Sequence, residues 1–264
     1  MKKLPTCYVL ICPSRHPASP RSLGLKQQER NHMTLVSDIG ELARQKISGD
    51  NLWYTWDIDD GKLPDGIRLP CGSPYERNVE LKRALHASWI AGTDERKYRL
   101  IRWYIRDWGG IKGNNEETIR LYSKTDPGKL VAMGSKGIAS WSKALCIYDP
   151  ERYPIFDARV SAALNALLVI GNEPRMKLFP CLSSQNRTIT SANGLFRNLV
   201  KEKVLAFIRD GEFYGAYCEI QRTVLRRLVE FHGIGVFTLE MILFSFAEEL
   251  LKTAFPGRLC GPPE

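Results

Sequence analysis

From residue 73 onward, apolar residues recur at steps of three and four, punctuated by capping residues and glycines. Such a pattern buries its apolar stripe only when helix packs on helix. In "SPYERNVELKRALHASWIAG", Val79, Leu81, Leu85, Trp89 and Ile90 fall near one helical face, and Ser73-Pro74-x-Glu76 combines a first-turn proline with a capping-box pair. "TDERKYRLIRWYIRDWGG" follows Gly92, with Thr93 as cap, acidic residues in the first turn and Gly109-Gly110 as the stop. The two helices are expected to pair as a hairpin. Further helices are predicted around 115–124, 128–134, 139–148, 157–170, 192–209, 216–230 and 236–252. Period-two alternation is confined to "CYVLIC" and "NLWYTWDID". The expected fold is therefore mainly α, with a minor β element near the N-terminus.

The Pro-rich stretches "RLPCGSP" near 70 and "YDPERYP" near 150 divide the 264 residues into 1–72, 73–156 and 157–264. The first region is expected to pack on the last. Asp157 then stands at the seam between the two helical parts, where ligand clefts tend to form. No run approaches the roughly 18 apolar residues of a membrane span. Pro5 and Pro13 bracket "CYVLIC", leaving it too short for a signal segment after Lys2 and Lys3. The seven cysteines include no CxxC pair, and the four histidines have no metal spacing. Reduced thiols, a cytoplasmic location and no bound metal are the expectation. Lys and Arg exceed Asp and Glu by nine (38 against 29), which favours a polyanionic partner.

Chemistry concentrates in residues 128–160. "KLVAMGSKGIASWSKAL" reads as a short helix, a turn containing Gly134 and Gly137, and a second helix. Free amides at the start of that helix suit a phosphate, with Ser135, Lys136, Ser140 and Lys143 as further donors. The continuation "YDPERYPIFDARV" leads through Pro154, Ile155 and Phe156 to Asp157, placed as the cap of the next helix. A cap is worth about 1 kcal/mol. A carboxylate fixed by its helix's amides also stays ionised, so capping and catalysis are compatible.

These two pieces carry a resemblance. "GIASWSKAL" is similar to the Gly-hydrophobic-Gly hairpin of the helix-hairpin-helix DNA glycosylases, which include endonuclease III and the alkyladenine glycosylases. "PIFDARV" looks like the stretch in which that family keeps its essential Asp. The likeness covers about residues 128–170, with helix order extending it over 74–250, and implies a two-lobed fold with the site at the seam.

The resemblance implies a monomeric enzyme that flips a base out of double-stranded DNA and hydrolyses its N-glycosidic bond. Asp157 would stabilise positive charge at C1′ and accept a proton from the attacking water. Arg159 would bind a phosphate or the Asp157 side chain. Ala139 stands where the family's second glycine is usual, at the place of its phosphate or monovalent-cation contact. Bifunctional members keep a Schiff-base lysine where this chain has Trp141, so strand cleavage is not expected. Lys143 lies two residues on, about 200° around the helix, and is expected to face elsewhere. The clustered cysteines of the iron–sulfur members are absent from the sequence, and no cofactor is implied beyond the hairpin cation.

For the base pocket, Trp141 is the first choice. Trp53 and Trp56 of the "WYTW" cluster come second, with Tyr54, Trp103, Tyr104 and Trp108 as further aromatic candidates. Asn114 and Asn115, on the loop "GGIKGNN", are the candidate wedge. Arg99, Arg102 and Arg106 form a basic stripe whose simplest reading is a solvated face. A second Gly-Ile-Gly at 233–235 lacks a downstream Asp at the right distance and reads as a core joint.

Two alternatives remain at this level. A metal-dependent nuclease would use Asp65, Glu80 and Lys82, but the latter two fall in a helical pattern instead of strands. A non-catalytic DNA-binding module would use the hairpin alone and tolerate replacement of Asp157. Oxidised, alkylated, deaminated or hypermodified bases would all suit the site, in repair or in defence against phage DNA with modified cytosines.

Overall fold

The computed structural model describes residues 20–49, 51–172 and 177–259, with side chains described from Thr34 onward. Of the described residues, 62% are helical. Ten α-helices are present among the described residues: α1 (Pro20–Ile47), α2 (Pro74–Ile90), α3 (Asp94–Trp103), α4 (Glu116–Lys124), α5 (Pro127–Val131), α6 (Ile138–Tyr148), α7 (Ala158–Gly171), α8 (Arg187–Lys201), α9 (Phe213–Leu225) and α10 (Val236–Ala254).

The capping signals operate as read. Ser73 Oγ accepts from the Glu76 amide at 3.3 Å while the Ser73 amide donates to the Glu76 carboxylate at 2.8 Å, closing the box at the start of α2. Thr93 caps α3 through the Arg96 amide. Beyond Trp103 the helix widens into a π turn, Tyr104–Trp108, closed by Gly109 N–H donating to the Tyr104 carbonyl at 3.1 Å. Such turns reposition side chains and are frequent at functional sites. Here the turn carries Trp108.

The β expectation requires correction. "CYVLIC" lies outside the described residues. "NLWYTWDID" forms a 3-10 turn at Asn51–Trp53 followed by irregular chain, because it crosses helices and meets no partner strand among the described residues. A two-stranded parallel sheet lies instead in the C-terminal half, pairing β1 (Lys177–Leu178) with β2 (Ala206–Phe207). Helix α8 accordingly begins and ends earlier than its apolar pattern suggests, the chain leaving it to enter β2. The long α1 had no counterpart in the sequence reading.

Helices α2, α3, α4 and α6 pack among themselves, and α1 and α7–α10 form a second packing set. α7 and α10 make the most extensive helix pair and are enclosed for most of their length. One apolar core runs through both sets. α6 enters the second set through the segment 149–157, which delivers Asp157 to the start of α7.

Candidate active site

Asp157 has extended backbone (φ −134°, ψ −171°) and caps α7. Its Oδ1 accepts from the Arg159 amide at 2.9 Å and the Val160 amide at 3.0 Å. One carboxylate oxygen thus carries both capping bonds. The preceding residues are clamped by three buried hydroxyls. Tyr214 donates to the Pro154 carbonyl at 2.9 Å, Tyr217 donates to the Ile155 carbonyl at 3.0 Å, and Ser142 Oγ accepts from the Phe156 amide at 3.1 Å. Burial pushes both tyrosines well above the ordinary phenol range, so they remain donors. Helices α6 and α9 therefore fix the carboxylate through backbone positions that apolar patterning cannot reveal.

Asp157 borders a cavity of about 40 Å³, with Lys143, Glu240, Tyr54, Trp56, Trp108 and Phe244 among its walls. That space holds one or two waters and is too small for a nucleobase. Lys143 is only 4% exposed. Its Nζ donates to the Ala139 carbonyl at 2.8 Å and lies 5.9 Å from the centre of the Trp108 ring. Burial pushes the Lys143 ammonium below the usual lysine range, while the charges of Asp157 and Glu240 oppose that shift. Glu240 is paired with Lys82 at 2.5 Å, with side chains 4% and 0% exposed. Burial raises the Glu240 carboxyl against the pull of Lys82. Two carboxylates and two ammonium groups, from α2, α6, α10 and the cap of α7, thus form a charge-balanced cluster around the cavity.

Two sequence expectations are corrected here. Trp141 does not face Asp157: it is fully buried, donates its indole N–H to the Lys136 carbonyl at 3.1 Å and meets Tyr214 edge-on at 4.8 Å. Lys143 does not face away. Residues 140–147 of α6 are all buried, so a 200° rotation from Trp141 leads from one interior surface to another. Of the second-choice aromatics, Trp56 lines the cavity, whereas Trp53 lines a separate surface cavity with Lys46 and Phe246. Tyr54 and Trp108 join Trp56, while Trp103 lies in a neighbouring cavity and Tyr104 in the core.

The turn before α6 has both glycines left-handed, Gly134 at φ 62° and Gly137 at φ 71°. A Cβ on Gly134 would collide with the Asp210 carboxylate at 2.2 Å, and one on Gly137 would meet the Tyr122 hydroxyl at 2.8 Å. Asp210 also accepts from the Ser135 amide at 2.9 Å, so the amide expected to take a phosphate holds a carboxylate of the same chain. Ser140 is buried and accepts from Asn114 Nδ2 at 2.6 Å. Lys136 and Gly137 remain exposed and Ala139 half-buried. Of the expected phosphate donors, Ser140 and Lys143 thus turn inward.

Arg159 pairs with Glu248 at 3.1 Å and lies over the Phe244 ring, beside the cavity, instead of on Asp157. Asn115 caps α4 through the Thr118 amide, and Asn114 is tied to Ser140, so neither expected wedge borders the cavity. The arginine stripe is neutralised: Arg102 and Arg106 meet Glu116, and Arg99 lies 3.9 Å from Glu95. The nuclease residues diverge, with Lys82 inward on Glu240 and Glu80 outward on Arg83 at 2.8 Å. Glu240, absent from the sequence reading, had a signal in its position as a lone charge inside "VFTLEMILF". Comparison with protein-family models, with curated proteins and with solved structures finds no match.

Proposed function

We propose that the protein is a DNA glycosylase that hydrolyses the N-glycosidic bond of a flipped-out modified base and leaves an abasic site. The observation that carries this reading is Asp157, capped through one oxygen, backed by a triple hydroxyl clamp and set at the wall of a water-sized cavity beside aromatic rings. A fixed carboxylate of this kind stabilises the cation that develops at C1′ as the base departs, and the adjoining cavity has room for the attacking water. The two helix packing sets, with Asp157 on the segment between them, support the two-lobed helix-hairpin-helix arrangement that the sequence resembles. The excess of nine positive charges supports double-stranded DNA as the partner. The proposed enzyme acts as a monomer in the cytoplasm, with no cofactor beyond a monovalent cation at the turn of Gly134 and Gly137.

A second reading of the chemistry is favoured by Lys143. A buried amine in the same cavity as Asp157, with its ammonium form disfavoured, can attack C1′ itself and add strand cleavage to base release. The deciding experiment incubates wild type and Asp157→Asn with duplexes carrying oxidised, alkylated, deaminated and hypermodified bases, hydroxymethylcytosine-containing phage DNA among them. Alkali-dependent breaks made only by wild type support the hydrolytic enzyme. Breaks without alkali, trapped by borohydride and lost in Lys143→Gln, support the amine. Breaks equal in Asp157→Asn and wild type would sink both. DNA binding without base release, unchanged in Asp157→Asn, would favour a non-catalytic module, and magnesium-dependent nicking a nuclease.

A further inference from the structure

Beside the Asp157 cavity, and sharing Trp56 and Trp108 with it, lies a larger cavity of about 250 Å³. Its walls combine three indoles, Trp56, Trp103 and Trp108, with three carboxylates, Asp57, Asp59 and Asp107. The indole N–H groups of Trp103 and Trp108 are already satisfied, by the Lys62 carbonyl and by Asn78 Oδ1 at 3.0 Å, so these rings offer no free donor; both also stack on Tyr104, and Lys143 Nζ lies 5.9 Å from the centre of Trp108. Lys62 contributes the cavity's one ammonium, tied to Asp59 at 2.7 Å. Asp57 accepts from its neighbour's amide through Oδ1, and the charge of Asp107 acts on Lys62 and Arg102.

A locally acidic, indole-walled cavity is unexpected on a chain with nine excess positive charges, and it repels phosphate. Carboxylates only accept, and indole faces attract cations more strongly than any other side-chain ring. The complementary ligand is an organic ammonium. Two of its indoles, Trp56 and Trp108, also wall the Asp157 cavity, so the two cavities adjoin across these rings.

We propose that this cavity receives the ammonium group of an aminoalkyl arm on the base presented to Asp157, an inference that rests on the glycosylase reading. The substrate class is thereby narrowed to bases carrying an aliphatic amine, with Trp56, Trp103 and Trp108 enclosing the cation and Asp57 and Asp107 countering its charge. Non-specific electrostatics work in the opposite direction, since a cationic arm lowers the negative charge of the duplex.

The test uses duplexes with one pyrimidine bearing a 5-aminopropyl arm, the same arm N-acetylated, or a 5-methyl group. Binding is measured on Asp157→Asn, and base release on wild type. The expected result is about tenfold tighter binding of the ammonium duplex than of the acetylated one. The preference should disappear in Asp157→Asn carrying Asp57→Asn and Asp107→Asn, while the 5-methyl duplex binds no more weakly than before. Equal affinity for charged and acetylated arms overturns the inference. Release of some other base by wild type, with no preference for the ammonium, overturns it while leaving the glycosylase reading intact. A retained ammonium preference with no base released from any duplex upholds the cation site and removes the glycosylase.

Discussion

Asp157 caps α7 and, on the proposed reading, also carries the catalytic charge; asparagine separates the two roles. Asn caps helices about as well as Asp but carries no charge. Asp157→Asn is therefore expected to unfold at the wild-type temperature while base release falls at least a hundredfold. Asp157→Ala is expected to lose activity and also about 1 kcal/mol of stability, read from denaturant midpoints. A similar loss of stability in both variants would show that the charge, not the cap, matters to the fold. Lys143 makes a pH-dependent prediction. Its ammonium lies below the usual lysine range because it is buried. If it attacks C1′, borohydride trapping should rise with pH to a midpoint below about 10.4, the value of a free lysine. Asp157 favours the charged form, so Asp157→Asn should move the midpoint lower still. The same depressed value means the unfolded chain binds more protons between the two midpoints, so this group's share of stability rises with pH there. Trapping absent at every pH would leave water as the nucleophile.

Among the elements, α2 and α10 are joined by the buried pair Lys82–Glu240 and by the hydrogen bond between Tyr75 and Thr238. Replacing Lys82 with Met leaves a carboxylate buried without its partner and is expected to cost about 3–5 kcal/mol. The double variant Lys82→Met, Glu240→Leu is expected to recover most of that loss. Additive losses in a double-mutant cycle would mean that the two charges act independently. The sequence reading took Lys82 only as a nuclease candidate and passed over Glu240, though each stands out in its pattern. Lys82 lies between Val79 and Leu85 on the apolar stripe of α2, and Glu240 interrupts an apolar run. Their partnership was not legible, because it spans more than 150 residues and no periodicity encodes it. The helix starts at 73, 93 and 157 were legible because caps are local chemistry. The orientation of α6 was not: a helix enclosed on every side has no polar face to set its rotation, and Trp141 and Lys143 were consequently exchanged.

For the molecule as a whole, the sequence named Asp157, Trp56, Tyr54, Trp108 and Lys143, all of which wall the one cavity, but not that they meet there. The hydroxyl clamp from Tyr214 and Tyr217 and the charge cluster come from elements distant in sequence. A nucleobase does not fit the 40 Å³ beside Asp157, so the proposed base capture would require rings such as Trp56 or Phe244 to move. Trp56, 36% exposed, would give up its contacts with Trp108 and Phe244 to do so.

Asp210 on the Ser135 amide has its own consequence. If the turn grips DNA, an arriving phosphate exchanges with a tethered anion instead of displacing water. Asp210→Asn is expected to tighten duplex binding severalfold at fixed salt without altering base release from bound DNA, measured by fluorescence anisotropy and single-turnover assay. Weaker binding would make Asp210 a structural tie and nothing more. Exchange of this kind acts as a threshold: small mobile anions, whose local concentration is far below that of a tethered carboxylate, are excluded. A polyanion anchored elsewhere on the surface is admitted. The turn would thus respond to the length of what it touches and ignore isolated charge.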